Sequence, residues 1–449
     1  RGGALSRERR LALCDRIDPQ GRWRRRLRKQ LSRTKAKRPA CRSEAALVGS
    51  LLVLLALAAC TSTQDVADVA TEAAADVKAA EAAGAAGVNP IGIRWAAVLA
   101  GGVFFALALY PERQISRSYA VATAGAVLLV SREGSIVCHN AYGFADLFAR
   151  RSMTTETVFD LASLTKPLAT ALAVMRLVQQ GDIDTEQDLG DILPAFEKDN
   201  KATIKIRQLL HHSSGLAAYR PYYKEIEHLP IDKRKQALRN LLVIEPLTHP
   251  IGTKVVYSDL GFMILEWIVE QVSGKRLDRF VSDMIYGPLG LDRLFFVDLN
   301  TKKPQGVFAA TEQCPWRKIL LSGQVHDENA YVVGGVQGHA GLFGTAAAVH
   351  MLASVLLSAY RGTHPDRLFQ TEMVRLFFKR RPNTDKALGF DAPASKNSSS
   401  GSYFSANSVG HLGFTGTSFW MDLDRFITVI MLTNRVHPSR DNETIKQFR

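Results

Sequence analysis

Ala126–Val130 and Ile136–Tyr142 are apolar-rich runs of strand length on either side of the polar, glycine-containing Ser131-Arg132-Glu133-Gly134-Ser135, and predict a β-hairpin. From Ser163 to Gln180 the apolar residues recur at helical spacing, and Gly181 stops them. Residues 206–215, Ile-Arg-Gln-Leu-Leu-His-His-Ser-Ser-Gly, predict a short helix running into a loop. Leu260–Val272 reads as an apolar helix stopped by Ser273-Gly274, and residues 345–360 read as another. Thr417–Met421 and Ile427–Leu432, turning over Asp422–Arg425, predict a second hairpin. Strands at both ends of a domain with helices between them predict an α/β fold of the α+β kind. Its antiparallel sheet is built from the two ends and flanked by helices, and the helical middle forms a second lobe.

Ahead of this domain the pattern changes. Residues 45–59 are an apolar run that follows a basic segment and ends at Leu57-Ala58-Ala59-Cys60. Charged region, apolar region and small residues, in that order, form a secretory signal. The final tetrapeptide resembles a bacterial lipobox, in which Cys60 takes the lipid. The run is short for a transmembrane helix. The expected organisation is a basic arm over 1–43, disordered or a mis-called start since the chain opens on Arg1, and a lipoprotein-type signal over 44–60. An Ala-rich linker over 61–90 and the globular domain over 91–449 follow. Trp95–Tyr110 is expected to be a helix packed on the domain, with a membrane-associated helix as the alternative.

Charge changes the picture by its position. The chain of 449 residues carries a net +14, yet residues 1–43 alone hold 16 Lys/Arg against 3 Asp/Glu. The remainder is near neutral, so the globular part has no basic face with which to bind nucleic acid. Cys14, Cys41, Cys60, Cys138 and Cys314 include no C-x-x-C pair and no zinc-finger spacing, so no metal centre is expected. A Cys138–Cys314 disulfide is left open.

Candidate chemistry starts at Ser163-Leu164-Thr165-Lys166. Residues three apart share a helix face, which brings the lysine amine within reach of the serine hydroxyl. A serine is a weak nucleophile until a base takes its proton, and a desolvated lysine can do so. Backbone N–H groups at a helix start can stabilise an oxyanion. Two further segments supply partners. Tyr257-Ser258-Asp259 stands just before an apolar helix, and a tyrosine near an ammonium can shuttle protons. His411-Leu412-Gly413-Phe414 opens the second hairpin, where Gly413 would let a substrate backbone approach closely. The G-x-S-x-G signature is absent. His211-His212, His326 and His339 read as structural loop histidines.

Taken in order, Ser163–Lys166, Tyr257–Asp259 and His411–Gly413 resemble the S-x-x-K, Y-x-N/D and K/H-x-G motifs of the serine β-lactamase and penicillin-binding-protein superfamily, in its class C and esterase branch. The likeness covers roughly residues 120–445 and includes Leu209–Leu216, Gln324–Phe343 and the segment from Leu432 to Pro438. It implies a β-lactamase/transpeptidase-like fold and an acyl-enzyme on Ser163, with no metal or organic cofactor. Lys166, Tyr257 and His411 would complete the catalytic set. Asp259, Gly413 and Phe414 would bind substrate, the oxyanion lying between the N–H groups of Ser163 and Phe414. It also implies a further helix after the last strand, which the chain as given does not reach. His411 in place of lysine, and Asp259 in place of asparagine, both disfavour a carboxylated β-lactam. The expected activity is therefore hydrolysis of a small ester or a peptide-like amide, as an esterase or D-Ala-type peptidase. The alternatives are a class C β-lactamase or a catalytically silent binder of cell wall or protein. The expected location is the bacterial cell envelope, through a lipid on Cys60.

Overall fold

Strand β1 (Gly125–Arg132) turns through Glu133 and Gly134, both with positive φ (51° and 80°), into β2 (Ser135–Asp146). Two left-handed residues make the tight turn whose twist matches a hairpin. The computed structural model describes residues 123–301, 305–363, 368–396 and 398–445. The expectations for 1–43, 44–60, 61–90, Trp95–Tyr110 and Cys60 lie outside the described residues.

The main sheet adds β3 (Arg151–Ser152) beside β2 and, from the far end of the chain, β9 (Ser408–Leu412), β10 (Ser418–Asp422) and β11 (Ile427–Thr433). Its order is β3-β2-β1-β11-β10-β9. The first and last long strands pair antiparallel, with Leu129 opposite Ile430, so the two ends of the domain close one sheet as the pattern predicts. Leu129, Ile430 and Leu432 are buried, and helix α4 (Ala346–Arg361) packs on β1 and β11.

The helical lobe holds α1 (Leu172–Gln180), α2 (Ile231–Ile244) and α3 (Asp259–Ser273). Ten consecutive residues of α3, Leu260–Val269, are buried, so it serves as the lobe's axis. Ser258 Oγ caps it, accepting from Gly261 N–H at 3.3 Å, and Gly274 ends it with φ 67°. Helix α5 (Thr371–Phe378) packs on α4 and α1.

Two features depart from expectation. The segment from Ser163 to Gln180 is not one helix. A 3₁₀ turn over Ala162–Leu164 leads into a wider, π-type stretch over Lys166–Ala171 before α1 begins. Pro167 has no N–H to give to the carbonyl four residues back, which is that of Ser163. Secondly, His411 lies within β9, an edge strand that the sequence pattern does not show. Gly410 lets β9 come close, since a Cβ there would lie 2.3 Å from the Phe419 carbonyl oxygen. Cys138 on β2 and Cys314 on β6 (Ala310–Cys314), whose pairing the sequence leaves open, are both free thiols. The short strands β4 (Phe159–Asp160), β5 (Leu294–Phe296) and β8 (Leu342–Gly344) form a small second sheet, and β6 pairs with β7 (Ile319–Ser322). Strands of two or three residues carry too few alternations to show as a sequence pattern.

Candidate active site

The fold brings Ser163, Lys166, Tyr257, Asp259 and His411 to one place, between the helical lobe and the edge strand of the main sheet. Lys166 is wholly buried. Its Nζ donates to Ser163 Oγ and to the His339 carbonyl, each at 3.2 Å, and lies 2.7 Å from Asp259 Oδ1. The ammonium also sits 4.8 Å from the centre of the Tyr257 ring.

These contacts decide the charge state of the lysine. Burial works against the ammonium, but the Asp259 carboxylate and Tyr257 outweigh it and hold the Lys166 pKa above its ordinary value. A desolvated neutral lysine is therefore not the resting state. Asp259 is not a bare negative charge beside the serine either, because the lysine neutralises it. Burial pushes the Tyr257 phenol up, opposed by the Lys166 charge and by hydrogen bonds from Lys166 and Ser163.

His411 is buried, and its pKa falls to about 4, mainly through burial and with Lys166 and Lys386 adding to the effect. It is neutral at physiological pH. Its Nδ1 lies 2.7 Å from the Leu412 carbonyl, which places the ring proton there. Nε2 is left as a buried acceptor without a hydrogen-bond partner among the described residues. No lysine-like cation occupies the third-motif position.

The fold itself requires glycine at position 413. A Cβ there would lie 2.0 Å from Thr417 Oγ1 and 2.7 Å from the Leu161 carbonyl oxygen. The close approach is to the turn carrying Ser163. Phe414 is about half exposed, and its carbonyl accepts from Arg435 Nε at 2.8 Å.

Several contributors have no sequence motif. Asp160 Oδ1 accepts from Ala162 N–H at 2.9 Å, and Oδ2 accepts from His326 N–H at 2.6 Å. This holds Ala162, just before the serine, at φ 47°, a conformation that costs a non-glycine residue roughly 1–2 kcal/mol. His212 accepts from Ser258 N–H at 3.0 Å and stacks on Tyr257 at 4.7 Å between ring centres. His339 binds Asp327 at 2.9 Å, which orients the carbonyl facing Lys166. A second ammonium, that of Lys386, lies 5.8 Å from the Tyr257 ring and pairs with Asp391. The adjacent His211-His212 and the Phe159-Asp160 dipeptide were visible in the sequence, but nothing there says what they face.

The structure is similar to that of the hydrolase EstCE1, described as having promiscuous acyltransferase activity. The likeness covers 75% of this chain and 96% of that one, with a TM-score of 0.59 and 22% identity, and so speaks for the fold. Among curated proteins, the chain is 34% identical over 357 residues to an "N-acetylmuramyl-L-alanine amidase" of Bacillus subtilis (strain 168), covering 73% of this chain and 80% of the relative. It is 33% identical over 357 residues to a "Putative D-alanyl-D-alanine carboxypeptidase" of Escherichia coli (strain K12), covering 73% and 82%. The family model described as Beta-lactamase matches residues 113–449. The chain is a serine hydrolase and belongs to the Beta-lactamase family.

Proposed function

We propose that the chain hydrolyses a peptide-type amide or ester drawn from cell-wall material, through an acyl-enzyme on Ser163. The observation that carries this is the Lys166 ammonium, shared between Ser163 Oγ at 3.2 Å and Asp259 Oδ1 at 2.7 Å in a buried site. The names of the amidase and carboxypeptidase relatives support the substrate class.

Because Lys166 rests protonated, its basicity is borrowed. As the serine proton moves to Lys166 Nζ, the ammonium gives a proton to Asp259. The net result is a nucleophilic Ser163 oxygen and a neutral carboxylic acid. Ser163 Oγ attacks the carbonyl, and the N–H groups of Ser163 and Phe414 receive the oxyanion. Tyr257 protonates the leaving group and is refilled from Lys166, which is refilled from Asp259. Water then loses its proton along the same relay and releases the acid.

A class C β-lactamase is the second reading. The neutral His411 stands against it, since it supplies no cation for the substrate carboxylate. A silent binding protein has no need of the complete Ser163–Lys166–Tyr257 cluster.

The deciding experiment labels the protein with a fluorophosphonate, with Ser163→Ala as control; labelling that survives the substitution would remove Ser163 from the mechanism. A short-chain aryl ester, a D-Ala-D-Ala peptide and a chromogenic cephalosporin then rank the substrate classes, and a dominant cephalosporin rate would favour the second reading. The order of basic segment, apolar run and Cys60 supports export and a lipid anchor at the cell envelope. Cys60→Ser should abolish lipid incorporation in a bacterial host, and unchanged incorporation would refute the anchor.

A further inference from the structure

The turn after β9 is tied to the turn of the candidate nucleophile by two hydroxyls. Thr417 Oγ1 donates to the Leu161 carbonyl at 3.0 Å, and Thr415 Oγ1 donates to the Asp160 carbonyl at 2.8 Å. Each bond joins residues more than 250 positions apart in sequence, and all four residues are buried. The turn is itself stiff: Gly413 N–H donates to the Thr417 carbonyl at 2.7 Å, and Gly416 N–H to that of Gly413 at 3.0 Å. On the other side, Leu161 N–H donates to the Leu342 carbonyl at 2.9 Å, and Asp160 holds Ala162. The missing Cβ of Gly413 is what leaves room for the Thr417 hydroxyl.

We propose that Thr415 and Thr417 are positioning residues that clasp the Phe414 turn to the Ser163 turn and so set the width of the oxyanion hole. This rests on the reading of Ser163 and Phe414 as the two oxyanion donors. Those donors come from segments some 250 residues apart in the chain. Nothing local fixes their separation, and a donor is effective only when held near 3 Å from the developing charge. An error of about 1 Å can cost on the order of a hundredfold in rate. Two short hydroxyl bonds, one to each of the two residues preceding Ala162, are placed to prevent that error.

The test compares Thr417→Val, Thr417→Ser and Thr415→Val with the parent protein, on an aryl ester and with an aryl boronic acid that mimics the tetrahedral anion. Thr417→Val should lower kcat about tenfold to a hundredfold, change KM by no more than about twofold, and weaken the boronate in proportion to kcat/KM. Thr417→Ser, which keeps the hydroxyl, should restore both. Thr415→Val acts through the second bond and carries the same test should Thr417→Val not fold. A folded valine variant with unchanged kcat and boronate affinity would overturn the clasp, as would a serine variant as impaired as the valine one. If Ser163→Ala retained turnover, the nucleophile and the clasp would fall together. If Ser163→Ala is dead and the valine variants are unaffected, only the clasp falls.

Discussion

Lys166 Nζ lies 2.7 Å from Asp259 Oδ1, so the amine of the candidate site stands as one half of an ion pair. The buried amine keeps its proton because the carboxylate is there. In Asp259→Asn, burial acts on Lys166 with less opposition and its pKa falls. The lysine must then lose its own proton before it can accept one from Ser163. Ester hydrolysis by the parent should vary little around neutral pH, whereas the variant should be at least about tenfold slower at pH 7 and climb as pH rises. Superimposable kcat/KM profiles would show that Asp259 takes no part in the relay.

His411 links the site to acid stability. Its pKa is about 4 in the folded protein against an ordinary value of 6.5. Between these pH values the unfolded chain binds the proton that the folded chain refuses. Stability from this group is therefore complete above pH 6.5 and is lost as pH falls towards 4, by up to about 3 kcal/mol. Urea midpoints at pH 7 and pH 4.5 should differ less for His411→Asn than for the parent. Equal differences would place the acid sensitivity elsewhere, for example at His211, whose pKa is also lowered to about 4 by burial and by Arg381 and Arg207.

Asp160 is predicted to matter more than its lack of a motif suggests. Both of its carboxylate oxygens accept from backbone N–H groups, those of Ala162 and His326. Asp160→Asn turns one acceptor into a donor facing a donor. A buried unmatched pair costs about 1–3 kcal/mol, and Ala162 loses the bond that holds its positive φ. A lower thermal midpoint should accompany slower fluorophosphonate labelling; normal labelling in a destabilised variant would limit Asp160 to stability.

Gly413→Ala should be among the most damaging small substitutions in the domain. The added methyl would meet Thr417 Oγ1 at 2.0 Å and the Leu161 carbonyl at 2.7 Å, so the two turns must part. Hydrolysis should fall about a hundredfold or more, along with the thermal midpoint. A variant of near-parental rate would mean that the approach of these turns has no bearing on turnover.

Much of this could be read from the chain. Short apolar-rich runs bounded by polar turn segments placed β1, β2, β10 and β11. Helical periodicity with closing glycines placed α1, α3 and α4. The three motifs named the residues that meet at the site. Strand β9, which carries His411, was not legible because it has only five residues and Gly410 stands within it. Asp160, Thr415 and His212 carry no pattern, since each bonds to the backbone of a segment far off in the sequence.

The sequence by itself determined which side chains are present, which faces of the longer elements are apolar, and the order in which a serine, a lysine, a tyrosine and a histidine follow one another. Only the tertiary structure decided their protonation and spacing. A lysine pKa depends on the carboxylate 2.7 Å away, a histidine pKa on the water removed from around it, and the approach of the Ser163 and Phe414 turns on a hydroxyl bond made across the fold. These are properties of distance and burial, which short-range sequence pattern does not encode.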